Sequence, residues 1–87
     1  MTLTYKVIDE SGLHIRPASL MVQVASLYPD QVDIIHGNKQ LTLKSILSIM
    51  SLGIPYGDTF QIYIKGENEE KIKQEIEALL KEHGVIE

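Results

Sequence analysis

The apolar residues of this 87-residue chain recur with a period of two in some stretches and about 3.6 in others, which limits it to a mixed fold of strands and helices. Over residues 2–8, Leu3, Tyr5 and Val7 alternate with Thr4 and Lys6, the pattern of a strand. Asp9-Glu10-Ser11-Gly12 reads as a loop. A helix follows, because Ala18, Met21, Val22 and Ala25 recur at helical spacing and Leu20, Val24 and Leu27 widen the stripe, until Tyr28-Pro29-Asp30 stops it. Val32 and Ile34, then Leu41 and Leu43, return to period two on either side of His36-Gly37-Asn38-Lys39, whose glycine and asparagine suit a hairpin turn. Ser45 to Leu52 carries one short helical stripe of Ile46, Ile49 and Met50, closed by Gly53. Phe60, Ile62 and Ile64 then alternate with Gln61, Tyr63 and Lys65 as far as Gly66. Asn68 is placed to cap a last helix with Glu69 and Glu70 in its first turn. Its stripe is Ile72, Ile76, Leu79, Leu80 and His83, and Gly84 ends it.

The order β-α-β-β-α-β-α predicts an α+β fold with a four-stranded antiparallel sheet and three helices on one face. Ile35 and Tyr63 fall on the wetter face as isolated apolar residues. At this length, residues 1–87 make a single domain. Eight basic and twelve acidic residues give a net charge of -4, which opposes nucleic-acid binding through phosphate contacts. One Phe and no Trp supply no stacking platform for RNA. The absence of cysteine removes disulfides, thiolate metal sites and cysteine nucleophiles. With no apolar run of membrane-spanning or signal-peptide length, the expectation is a cytoplasmic monomer without membrane insertion.

The charge is unevenly placed. Residues 1–66 hold five bases and five acids, whereas residues 67–87 hold seven acids and three lysines. The segments around Arg16 and Lys44 contain no acid between Glu10 and Asp30 or between Asp33 and Asp58. A neutral-to-basic docking face for acidic partners is therefore expected, with the 69–83 helix placed away from His14.

Three histidines are the main candidates for chemistry near neutral pH, and their separation gives no metal-ligand spacing; no metal or cofactor is implied. His83 reads as a helix-terminal residue and His36 as a turn residue. His14 stands out because Pro17 suits the first turn of the following helix, which puts His14 at or just before its N-cap. There the ring faces unpaired amides and the positive end of the helix dipole, a setting that favours a neutral, nucleophilic imidazole. An anion on the ring, such as a phosphoryl group, would also meet Arg16. On spacing alone, an ordinary cap residue beside a surface arginine accounts for the same pattern. Ser45 likewise reads first as an N-cap, and a phosphate there would sit at a helix N-terminus. Ile46 and Leu47 beside it are candidates for apolar surface left outside the core.

Taken together, Ser11-Gly12-Leu13-His14-Ile15-Arg16-Pro17-Ala18 and Lys44-Ser45-Ile46-Leu47-Ser48-Ile49-Met50-Ser51-Leu52-Gly53-Ile54 resemble the HPr family, the histidine-containing phosphocarriers of the bacterial phosphoenolpyruvate:sugar phosphotransferase system. Length, element order and motif positions agree over essentially the whole chain. The resemblance implies an open-faced β-sandwich. It further implies a carrier, not an enzyme, that accepts a phosphoryl group on His14 Nδ1 from phospho-Enzyme I and passes it to IIA components of sugar permeases. Arg16 and Pro17 match the residues that shape that site. Ser45 matches the serine modified by HPr kinase/phosphorylase in many Gram-positive bacteria, where the product binds a catabolite control protein. Ile46, Leu47 and Met50 beside it are the expected partner-docking residues. The alternative within the same resemblance is a mainly regulatory module acting in carbon catabolite repression through phospho-Ser45. Two departures bear on partner choice: Ile15 stands where HPr usually has alanine, and Ser48 where many Gram-positive members have glycine. His14 itself is present, whereas paralogues that only regulate carry glutamine there.

Overall fold

The computed structural model describes residues 1–87 and contains the seven elements in the expected order. They are β1 (Thr2–Lys6), α1 (Ile15–Ser26), β2 (Gln31–His36), β3 (Lys39–Thr42), α2 (Ile46–Leu52), β4 (Thr59–Lys65) and α3 (Glu69–Glu82). All strand pairs are antiparallel and the sheet order is β1-β4-β2-β3. β4 thus inserts between β1 and β2, whose α1 crossover spans it as a split β-α-β unit. The expected open-faced α+β sandwich is the fold observed.

The period-two residues face the helices. Val32, Ile34, Phe60, Ile62 and Ile64 are buried against Ala18, Met21 and Ala25 of α1, Ile49 of α2, and Ile72, Ile76 and Leu80 of α3. Each large apolar side chain so buried contributes about 1.5–3 kcal/mol. Ile35 and Tyr63 on the other face are half-buried, consistent with a partly solvated surface.

Two local expectations change. The first strand reaches only Lys6, because Val7 leaves the β1–β4 ladder to exchange backbone hydrogen bonds with residues 57 and 58, and Ile8 donates to the Val85 carbonyl. Asn68 occupies the N-cap of α3, but its side chain makes no cap bond. It donates from Nδ2 to Asp30 Oδ1 at 2.8 Å, while its backbone N–H donates to Asp30 Oδ2 at 2.7 Å. Asp30 is 4% exposed, the one charged side chain in the buried set, and these donors hold its carboxyl below the usual carboxylate range. The turn after α1 is thereby tied to the start of α3.

Candidate functional site

α1 begins where the 9–14 loop turns across the segment joining α2 to β4. Gly12 holds φ at +69° with its backbone packed on Ile54 and Pro55, an approach that leaves no room for a Cβ. The next amide, Leu13 N–H, donates to the Ile54 carbonyl at 2.9 Å, and the Leu13 side chain is buried. Asp9 shapes the loop from the other side: its Oδ1 accepts the Ser11 N–H at 2.9 Å and its carbonyl accepts the Gly12 N–H at 2.9 Å. These contacts fix where residue 14 enters the helix.

His14 is the N-cap of α1, in extended backbone conformation, and its ring makes no cap hydrogen bond. Its carbonyl accepts the Ala18 N–H at 3.2 Å, the first helical bond. Pro17, buried at the third helical position, has no N–H to offer, and the amides of Ile15 and Arg16 have no partner. Two unpaired donors therefore stand at the helix start beside a ring whose side chain is 38% exposed. Asp9 Oδ2 lies 3.3 Å from His14 Nε2. A carboxylate only accepts, so in the neutral ring the tautomer that suits this contact carries its proton on Nε2 and has its lone pair on Nδ1. Sequence reasoning missed Asp9, although an Asp two residues before a serine in a glycine loop is the signature of the turn it makes.

Arg16 is exposed and forms no ion pair, and Ile15 beside it is 61% exposed. Both line a cleft of about 510 Å³ with Ser19, Leu20 and His83. The expected separation of the 69–83 helix from this region therefore fails: α3 packs along α1 and its C-cap residue, His83, faces the Arg16 cleft. Together with Asp9, this gives the surroundings of His14 a mixed character in place of the neutral-to-basic one expected. His83 was legible only as a helix-terminal residue, since its approach to Arg16 is a long-range packing result.

The second motif takes its predicted local form. Ser45 is the N-cap of α2 and its Oγ accepts the Ser48 N–H at 3.2 Å. Leu47 is 82% exposed and Met50 also faces solvent, whereas Ile46 is half-buried. Lys44 is committed elsewhere, its ammonium donating to the Tyr28 carbonyl at 2.8 Å beyond the end of α1. That contact puts the start of α2 at the end of α1, and the Leu13–Ile54 bond puts the end of α2 at the start of α1. The two packed helices run antiparallel, so Ser45 and His14 lie at opposite ends of α1. His36 is apart from both, its Nε2 2.9 Å from Asp58 Oδ2.

No helix is long and apolar enough to cross a membrane, and no three metal-ligating side chains cluster. Residues 1–82 match a family model for the phosphorylation site of the HPr component of the phosphotransferase system. The phosphocarrier protein HPr of Lysinibacillus sphaericus is 36% identical over 84 residues, covering 97% of this chain and 96% of the relative. A solved structure of the histidine-containing phosphocarrier protein of a Mycoplasma is similar with a TM-score of 0.95 at 30% identity, over 100% of this chain and 99% of that one. The catabolite-repression protein Crh of Bacillus subtilis, solved as a dimer, is similar with a TM-score of 0.71 at 30% identity, over 94% of this chain and 93% of that one.

Proposed function

The chain belongs to the HPr family of phosphotransferase-system phosphocarriers, and we propose that it acts as a single carrier domain that takes a phosphoryl group on His14 from phospho-Enzyme I and delivers it to IIA components of sugar permeases. In the first transfer the Nδ1 lone pair attacks phosphorus, the N–P bond forms, and the donor's bond to phosphorus breaks. In the second the nucleophile of the IIA component attacks and the His14 N–P bond breaks. No water enters either step, so the group is conserved.

The observation that carries this reading is the ring at the start of α1, exposed on one side and oriented by Asp9 on the other. Asp9 engages Nε2 and leaves Nδ1 as the nucleophile. The unpaired Ile15 and Arg16 amides and the Arg16 guanidinium supply donors and positive charge for the phosphoryl oxygens. Pro17 supports this by fixing the first helical turn from which these amides project. Because the ring is only partly covered, the phosphoryl group stays accessible to the next acceptor.

Ser45 is the proposed regulatory position, modified by an ATP-dependent HPr kinase/phosphorylase, with the phosphorylated form recognised by a catabolite control protein. The exposed Leu47 and Met50, with Ile46 at their edge, form the docking surface that both partner sets use. The likeness to Crh supports this regulatory role, and the presence of His14 supports phosphoryl carriage beside it. The protein is a cytoplasmic monomer in this reading.

The test is incubation with phosphoenolpyruvate and Enzyme I followed by intact-mass analysis. An acid-labile, base-stable gain of about 80 Da, one phosphoryl group, is expected. Its absence from the wild-type chain, or its persistence in His14→Ala, would refute the proposal. ATP-dependent modification that survives Ser45→Ala would refute the regulatory assignment alone.

A further inference from the structure

α1 carries two apolar stripes, and the core uses one of them. Pro17, Ala18, Met21 and Ala25 are buried. Leu20, Val24 and Leu27 recur at i, i+4 and i+7, the spacing of one helix face, and remain partly open, with Leu27 73% exposed. They meet Ala78 and Leu79 of α3 in a groove of about 840 Å³ along the seam between the two helices. Leu20 and His83 line both this groove and the Arg16 cleft, so the groove adjoins that cleft near the start of α1.

The rim of the groove is acidic. Glu75 and Glu82 border it from α3, and the facing side of α1 offers the uncharged Gln23. Glu82 is exposed and forms no ion pair; Glu75 accepts only the Tyr28 hydroxyl, at 2.6 Å. Two of the seven acids of residues 67–87 thus border exposed apolar side chains here.

We propose that the groove between α1 and α3 receives an amphipathic helix of a partner protein, one whose apolar stripe is flanked by lysine or arginine. Leu20 to Leu27 covers about 10 Å along α1, two helical turns, which suits apolar anchors at i, i+3 or i+4, and i+7 on the occupant. Glu75 and Glu82 select basic flanking residues by charge complementarity. They also repel an anionic lipid surface, and a second copy of the chain would set one acidic α3 against another. The chain would then present two docking surfaces: the face bearing Leu47 and Met50 proposed for phosphoryl transfer, and the groove between α1 and α3 with Glu75 and Glu82 on its rim.

The test titrates the ¹⁵N-labelled protein with a capped leucine/lysine helix of about 14 residues, long enough to be helical when bound, beside a leucine/glutamate peptide with the same leucine pattern. Amide shifts should centre on Gln23, Leu27, Ala78 and Leu79. Glu82→Lys or Leu27→Lys should weaken binding about tenfold, a step of about 1.4 kcal/mol. Glu67→Lys makes the same charge change in an exposed loop at the other end of α3 and should leave binding within about twofold. The proposal is overturned by equal losses in Glu82→Lys and Glu67→Lys, by shifts centred on Leu47 and Met50, by equal binding of the glutamate peptide, or by no binding. It is also overturned if sedimentation shows self-association that Leu27→Lys abolishes, which would put a second copy in the groove. His14 phosphorylation, measured on the same samples, is independent of these outcomes because neither Glu82 nor Leu27 takes part in it.

Discussion

Alanine at Gly12 should cost far more than alanine at Gly53, and the difference comes from the loop beneath His14. Both glycines hold positive φ, +69° and +57°. A Cβ in that region costs about 1–2 kcal/mol, and alanine recovers about 0.4–1 kcal/mol by restricting the unfolded chain. At Gly53 a Cβ meets nothing within 4 Å, so the net cost there is about 0–1.6 kcal/mol. At Gly12 it would stand 2.6 Å from the Ile54 carbonyl oxygen and 3.1 Å from Pro55 Cα, backbone atoms that cannot rotate aside. Relief requires the 9–14 loop to lift away, which breaks the Leu13 N–H bond to Ile54. Leaving those groups unpaired adds about 1–3 kcal/mol, for a total of about 1–4.6 kcal/mol.

For a domain of this size each kcal/mol lowers Tm by about 4–8 °C. Calorimetry should therefore find Gly12→Ala melting about 4–24 °C below Gly53→Ala. Below its own Tm, the Gly12 variant should also accept phosphate on His14 more slowly, because the approach of Asp9 to the ring depends on the loop's seat on residues 54 and 55. Equal destabilisation of the two variants, within about 0.5 kcal/mol, would refute the claim that this packing positions the site.

Other perturbations separate the remaining contributions. Asp9→Asn keeps an acceptor for the Ser11 amide but removes the charge facing Nε2; phosphoryl transfer measured with Enzyme I should fall about two- to fivefold in kcat with little change in Tm. Ser45→Ala loses the N-cap bond and should lower stability by about 1 kcal/mol. Ser45→Asp, which retains an acceptor, should melt near the wild type yet raise KM for Enzyme I. Asp30 is held below the ordinary carboxyl range first by the Asn68 side chain and then by its backbone N–H. Its contribution to stability is fully present above about pH 4 and is lost as pH falls through the lowered native value. Asp30→Asn should therefore flatten the acid limb of a circular-dichroism titration below about pH 4.

The elements were legible because each has one apolar period over enough residues to be read locally. Pro17 and Ser45 declared two helix starts by chemistry confined to one turn. What stayed hidden depends on partners far along the chain. Asn68 has the composition of a cap, but Asp30, 38 residues away, takes its side chain. Leu20, Val24 and Leu27 widened the predicted stripe of α1, and nothing local tells which of two apolar faces the sheet will cover. The insertion of β4 between β1 and β2 was equally out of reach, since alternation specifies which face of a strand is buried and not which strand lies beside it. His14 could be placed at a helix start from sequence, but its acid partner, Asp9, comes into range only through the turn of the intervening glycine loop.

The antiparallel packing of α1 and α2 constrains how the two proposed modifications communicate. Twelve residues of helix separate the His14 end of α1 from the Ser45 end, roughly 18 Å. That is about two Debye lengths at physiological ionic strength, so a phosphate on Ser45 acts only weakly on a charge at His14 through solvent. Direct repulsion therefore cannot account for a large effect of one modification on the other. The surface between them can: Leu47 and Met50 are exposed on α2, and a partner docked over them as proposed while reaching His14 would lie close to the start of α2. A seryl phosphate would add about two negative charges at the edge of that contact. Its effect should consequently appear in partner affinity, while the lifetime of phosphohistidine in the isolated carrier stays unchanged. Faster hydrolysis of phospho-His14 in Ser45→Asp, with no change in KM for Enzyme I, would instead require coupling through the helix pair itself.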